Sequence, residues 1–222
     1  MKHLFLFIAL ICASAAAAAP KAHADIDMTD GRRYEAVALD KLPDGWSEEV
    51  KIVVDGRKVK IPSDSIASMT IWHTENPDSR VILHWMEYGD WGMNDGSYHA
   101  AMEKGKPAKK WFALRAAGPE MSFWISVLKL KPSSKRFVVE MTKAHYFLLK
   151  KSAPFAVSVP RNVFKPALTR TWLAAFLADD EVLAAEATAE KDLNRSFLGQ
   201  QNMDSPAIFE HIAETYTPGR RR

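Results

Sequence analysis

The chain has 222 residues, with 30 Lys+Arg against 27 Asp+Glu, a formal net charge of +3, 47% hydrophobic residues and a single Cys. Those proportions exclude a disordered tail, a collagen-like chain, a long coiled coil and a disulfide-stapled miniprotein. They identify no activity.

The first segment reads as an address. Lys2 precedes an uncharged run from Leu4 to Ala19, apolar as far as Ile11 and then made of small residues. The apolar part is shorter than the roughly 18 residues that a membrane span needs. Pro20 follows it, and Ala22-His23-Ala24 puts small residues at the two positions a signal peptidase reads. Residues 1–24 are therefore expected to be a signal peptide, cut between Ala24 and Asp25, with Ala13-Ser14-Ala15 as a second site. The mature protein is expected in the periplasm or outside the cell. Removing Lys2 and Lys21 leaves 28 basic and 27 acidic residues. Such a balance gives no reason to expect nucleic acid as a partner. No later segment is long and apolar enough to cross a bilayer.

Residues 25–160 read as strands. Arg33 to Leu39 follows an Asp30-Gly31 turn. Val50 to Ile61 holds two alternating runs around Asp55-Gly56, the pair favoured in a two-residue hairpin. The register that follows sets Val50 opposite Ile61, Ile52 opposite Val59 and Lys51 opposite Lys60. One face is apolar and the other basic. Met69 to His73 is a further strand, ended by Asn76-Pro77-Asp78. Val81 to Glu87, Trp111 to Ala116, Met121 to Leu130, Arg136 to Met141, Tyr146 to Leu149 and Phe155 to Val159 complete the series.

From Pro166 the period becomes helical. Leu168, Trp172 and Phe176 share one face. Asp179 or Asp180 can cap a second helix, and Asp204-Ser205-Pro206 opens a third carrying Ile208, Phe209, Ile212 and Tyr216. Gly219 to Arg222 reads as a frayed basic end. Strands followed by helices indicate α+β architecture.

Much chemistry is absent from the sequence. It has no phosphate-binding glycine loop, no HExxH, no Cys pair and no GxSxG. Ser126-Val127-Leu128-Lys129 matches SxxK, but residues three apart on a strand face opposite ways. His73, His84, His99, His145 and His211 stand at no metal-ligand spacing from one another. His84 and His99 bracket a stretch rich in acids and aromatics that includes Asp90, Trp91 and Tyr98. Trp46 and Trp91, beside Gly and acids, are expected to be exposed, and Trp85 and Trp124 buried. An exposed Trp can stack on a sugar or anchor a partner. Asn194-Arg195-Ser196 is a formal glycosylation sequon.

Three segments together resemble a family of uncharacterised exported proteins of Bacteroidetes-type bacteria. The first is Gly31-Arg32-Arg33-Tyr34-Glu35-Ala36, with Asp55-Gly56 and Asp64-Ser65-Ile66 after it; Ala36 stands where the family motif has Gly. The second is Tyr146-Phe147-Leu148-Leu149-Lys150-Lys151. The third combines Phe176-Leu177-Ala178-Asp179-Asp180-Glu181-Val182 with Ile212-Ala213-Glu214-Thr215-Tyr216. The resemblance implies an exported protein with strands first and helices last, and it adds no catalytic residue.

These readings combine into an α+β protein. An antiparallel β-sheet or barrel-like region spans 25–160, a helical segment over 161–217 packs on it, and 218–222 forms a basic tail. The expected role is non-enzymatic, binding or accessory, with no cofactor and no metal. The partner class is an envelope protein or a glycan. The speculative ligand-binding residues are Trp91, Tyr98, His84, His99 and Asp90. One alternative is a carbohydrate- or cell-wall-binding module using exposed Trp. A further alternative is a hydrolase with its site near His84, Asp90 and His99.

Overall fold

A computed structural model describes residues 21–141, 146–160, 166–189 and 207–222. The leader as far as Pro20, His145, the Asn194-Arg195-Ser196 sequon, Asp204-Ser205-Pro206 and the side chain of Leu168 lie outside the described residues. The architecture is a mostly antiparallel β-sheet with helices at the end of the chain, as an α+β reading requires. Among the described residues no helix is long and apolar enough to cross a membrane.

Strand β1 (Ala22–Met28) alternates buried Ala22, Ala24, Ile26 and Met28 with polar residues that face outward. It lies between β2 (Arg33–Lys41) and β5 (Ile66–His73), antiparallel to both. The expected cleavage point between Ala24 and Asp25 therefore falls inside a paired strand. Small residues at alternate positions satisfy a peptidase and a tightly packed strand equally, so the pattern alone does not separate them. Opposite Asp25 the β1–β2 register shifts, and Ala36 takes a left-handed φ of 48° while its N–H donates to Asp25 Oδ1 at 2.9 Å. A glycine would hold that conformation without the steric cost an L side chain carries.

The hairpin β3 (Glu49–Val54) and β4 (Arg57–Pro62) has the expected register: Val50 faces Ile61, Ile52 faces Val59 and Lys51 faces Lys60. Asp55 and Gly56 both have positive φ, which matches the turn to the right-handed twist of the strands. The Lys51–Lys60 repulsion is offset by Glu49, 2.9 Å from Lys60 and 3.9 Å from Lys51.

Strand β6 (Asn76–Trp91) is the spine. The turn before it is Thr74-Glu75, and Asn76-Pro77-Asp78, expected to end the preceding strand, instead opens this one, with His73 paired to Asn76. One stretch of β6 pairs with β5; another pairs with β10 (Lys109–Ala117); its far end takes β7 (Tyr98–Ala100). A small hairpin of β8 (Met102–Glu103) and β9 (Lys106–Pro107) interrupts the run from β7 to β10. The expected strand over Met121 to Leu130 is two strands, β11 (Met121–Ser126) and β12 (Lys129–Ser133), and β12 pairs with β13 (Arg136–Glu140) in a separate ladder. The break comes where Gly45 N–H donates to Leu128 O and Val127 N–H donates to Trp111 O.

Strands β14 (Tyr146–Lys150) and β15 (Ala156–Ser158) complete the sheet. The pairings β6–β10, β10–β11, β11–β14, β14–β15 and β15–β6 return to the strand they start from, the last of them parallel. Both faces of these strands are consequently covered. One face carries Trp111, Ala113, Phe123, Ile125, Leu148 and Val157 into the main core. The other carries Phe112, Trp124, Phe147 and Ala156 into a second, smaller cluster.

Helices α1 (Pro166–Phe176), α2 (Glu181–Ala189) and α3 (Ala207–Thr215) contribute Trp172, Phe176, Leu183, Phe209 and Ile212 to the main core. Phe209 of α3 packs against Phe123 and Tyr146, at ring-centroid distances of 5.7 and 5.4 Å. The last residues are docked, contrary to the frayed end expected from their charge. Asp180 caps α2 through the Leu183 N–H at 3.1 Å, accepts the Thr217 N–H at 2.9 Å, and receives two bonds of 2.8 Å from the Arg220 guanidinium. Beside it Lys150 donates to Phe176 O at 2.5 Å and to Asp179 Oδ1 at 2.8 Å, while Tyr216 donates to the second oxygen of Asp179. The Arg220 guanidinium thus finds a buried carboxylate, which a composition-based reading of the tail cannot see.

Candidate functional site

The five residues singled out from the sequence do not converge. Asp90 and His99 stand opposite each other in the β6–β7 ladder. His99 turns into its own loop, with Nε2 2.9 Å from Ser97 Oγ and 3.2 Å from Asp95 Oδ2. Trp91 and Tyr98 meet edge to face at 4.8 Å and pack inward, Trp91 against Phe176 at 5.9 Å and Tyr98 against Phe155 at 5.7 Å. Trp91 is thus half-buried rather than exposed, because the β6–β7 ladder lies across the end of α1. Its Nε1 has no hydrogen-bond partner among the described residues. His84 lies 4.7 Å from the buried ring of Trp124, and burial holds its pKa below the ordinary imidazole value. Of the five, Asp90 lines a cavity that centres on Lys110, a residue without a signature motif.

Lys110 lies on the smaller, second face of β10, in line with Phe112, and it is 6% exposed. Its Nζ stands over the rings of Tyr88, Phe147, Phe112 and Trp46, at 4.5, 5.0, 5.2 and 5.6 Å. Among the described residues no carboxylate lies within ion-pair distance of Lys110, and no group accepts a hydrogen bond from its amine. Aromatic faces attract a cation but take up none of its N–H donors in strong bonds. Burial lowers the pKa of this lysine to about 8. The amine opens on a cavity of about 340 Å³ whose walls include Asp90, Ser126, Ser158 and Phe147. That volume lies within the usual range for small-molecule sites.

Trp46 roofs this cavity and is itself 52% exposed, as expected. A rigid segment fixes it there. Gly45 O accepts the Trp111 N–H at 3.0 Å, and Ser47 O accepts Trp111 Nε1–H at 3.0 Å. A Cβ on Gly45 would sit 1.8 Å from Val127 O, so only glycine allows this approach. The outer side of Trp46 borders a wider groove of about 760 Å³ that includes Trp85, Glu48, Asp64 and Lys109. There Asp64 accepts Trp85 Nε1–H at 3.1 Å and the Lys109 amine at 2.8 Å. The Lys109 hydrogen bond holds the Asp64 carboxyl below the ordinary range against the opposing effect of burial.

Sequence reasoning passed over Lys110 because alternation within one strand shows two faces without showing that both are covered. The signal was a lysine at the same parity as Phe112 and Leu114, next to a Lys109 of opposite parity. Whichever face were buried, one of the two lysines would have to enter it. In the sequence Ser126 belongs to the SxxK match. Here it ends β11, and Lys129 opens another strand, so the two do not form that motif's helical pair.

Among the described residues no group of three or more His, Cys, Asp or Glu is placed to hold a metal ion. No protein-family model, curated protein or solved structure matches the chain.

Proposed function

We propose that this chain is an exported, non-enzymatic binding protein whose site is the Lys110 cavity, and that its ligand is a small organic anion with an apolar body. The observation that carries the reading is a buried ammonium with four aromatic neighbours and, among the described residues, no carboxylate within ion-pair distance. Burying an unpaired charge is costly. A carboxylate bound in the cavity supplies the missing charge and accepts the unused N–H donors, while the rings of Phe147 and Trp46 cover its apolar part. The circuit of strands around this second face is read as a small barrel with the site at one mouth. Export rests on the apolar leader. Cleavage at Ala13-Ser14-Ala15 leaves β1 whole and is preferred to cleavage within it.

Benzoate and its neutral counterpart benzamide test the site, with Trp46 fluorescence and calorimetry as readouts. The expected result is binding of benzoate, little binding of benzamide, and loss of benzoate binding in Lys110→Met. Equal binding of both probes, or full benzoate affinity in the variant, rejects the reading. A second reading is favoured by the exposed Trp46 and the groove it shares with Trp85 and Asp64: a glycan could stack on the rings and bond to the carboxylates. A panel of glycans that leaves tryptophan fluorescence unchanged removes it.

A further inference from the structure

We infer that Lys110 is also a covalent capture site for small aldehydes, its amine condensing reversibly with the carbonyl carbon to give an imine. The inference rests on the reading that the cavity admits a small molecule, and it adds a bond to it.

The geometry supplies what the reaction needs. The amine makes no hydrogen bond or ion pair among the described residues, so once it has given up its proton no further interaction has to be released before the lone pair attacks. It faces a cavity large enough for a molecule beyond the lysine itself. Ser126 and Ser158 bring hydroxyls to the same cavity and Asp90 a carboxylate, groups that can relay protons as the carbinolamine forms and dehydrates. The aromatic faces that attract the ammonium attract the protonated imine equally, so the product keeps the stabilisation of the starting cation.

The step balances without an oxidant or reductant. The nitrogen lone pair forms the C–N bond, the two amine hydrogens and the carbonyl oxygen leave as water, and the carbon remains at its oxidation level. Desolvation of a lysine in an apolar pocket is a recognised route to such nucleophiles. With the amine's pKa lowered to about 8, about a tenth of it is unprotonated at pH 7, against well under a thousandth for an exposed lysine. The other buried lysine marks the contrast, since Lys150 is committed to Phe176 O and Asp179.

The test uses benzaldehyde with cyanoborohydride at pH 7, which reduces any imine to a stable benzyl adduct, followed by intact-mass measurement and peptide mapping. The expected result is one adduct on Lys110, formed on the order of 100 times faster than on any exposed lysine. Benzoate should slow it, and Lys110→Arg, checked for folding by circular dichroism, should remove it. Adducts spread over surface lysines without preference for Lys110, or an unmodified Lys110, overturn the inference. Benzoate binding by the wild-type protein is measured separately. If benzoate binds and no adduct forms, covalent capture fails and the anion site stands. If the Lys110 adduct forms and benzoate does not bind, the anion site fails and covalent capture stands.

Discussion

Two lysines enter the interior from the same circuit of strands, and they are held in opposite ways. Lys150 is 5% exposed and Lys110 6%, so water is nearly excluded from both. Lys150 meets a carboxylate and the last carbonyl of α1, where the helix dipole also favours a cation. Burial lowers its pKa, and the Asp179 hydrogen bond opposes that effect. Among the described residues Lys110 has aromatic faces around its amine and no ion-pair partner, and desolvation is the cause of its shift. The Lys150 region closes the molecule by tying the C-terminal residues and two helices to β14. The Lys110 region leaves a charge unanswered next to open space. An unpaired buried charge that a fold retains is a candidate for function, because packing alone would favour an apolar residue there.

The largest expected effect lies at the closed end. Asp180 is buried, caps α2 and receives both hydrogen bonds of Arg220. Burial alone would raise its pKa. The bonds from Arg220, Thr217 and Leu183 outweigh it and hold the carboxyl below its ordinary range. Asp180→Ala removes the cap and leaves the guanidinium without its partner, and about 3 kcal/mol of stability should be lost. Urea unfolding measures it. A loss below ~1 kcal/mol would mean that the docked tail contributes little to closure.

The lysines themselves should then respond with opposite sign. Lys150→Met leaves Asp179 with the Tyr216 hydroxyl and strips a donor from Phe176 O, so a loss of about 2 kcal/mol is expected. Lys110→Met removes a desolvated charge that has no carboxylate to miss. A fall in pKa from 10.5 to about 8 is a penalty of roughly 3 kcal/mol, and contacts with the rings return part of it. A net gain of about 1 kcal/mol follows, together with loss of benzoate binding. Destabilisation of both variants to the same extent would erase the distinction between the two regions.

The contrast explains what was legible in the sequence. The Asp55-Gly56 hairpin could be read residue by residue, because its turn chemistry and its two-residue period are local and agree. A cap at Asp179 or Asp180 could be read because capping is local too, but the Arg220 partner of Asp180 could not, since 40 residues separate them. Val127 and Leu128 looked like the continuation of a strand; the approach of Gly45 ends it, and nothing in Met121 to Leu130 encodes Gly45. The parity of Lys109 and Lys110 places one of them on a buried face, but which one, and that both faces are covered, is not local either. The burial of Lys110 depends on β6, β10, β11, β14 and β15 returning on themselves, a property of five segments together. The candidates that were named, Trp91 and Tyr98, carried aromatic signals that serve the core equally well.

A pH dependence isolates Lys110 from every other group. The folded-state pKa of this lysine, about 8, lies below the unfolded value of roughly 10.4. Below pH 8 both states hold the proton and the penalty is fully present. Between pH 8 and 10.4 the unfolded chain binds more protons than the folded one, so stability rises with pH. Above that range both amines are neutral and the penalty is gone. Tyr88, whose pKa is raised by burial and then by Glu103 and Asp90, contributes a slope of its own at the upper end. Asp90 and Tyr88 face the cavity in wild type and variant alike, as Lys150 stays in its own cluster, so they drop out of the difference. The stability difference between Lys110→Met and wild type should therefore move by about 3 kcal/mol in favour of the wild type between pH 7 and pH 10.5, so that the variant's advantage of about 1 kcal/mol at pH 7 is lost and reversed, with benzoate affinity falling over the same interval. Urea unfolding of the two proteins across that range measures it. A gap that stays constant with pH would mean that the lysine is neutral at pH 7, or paired, and the comparison with Lys150 would lose its basis.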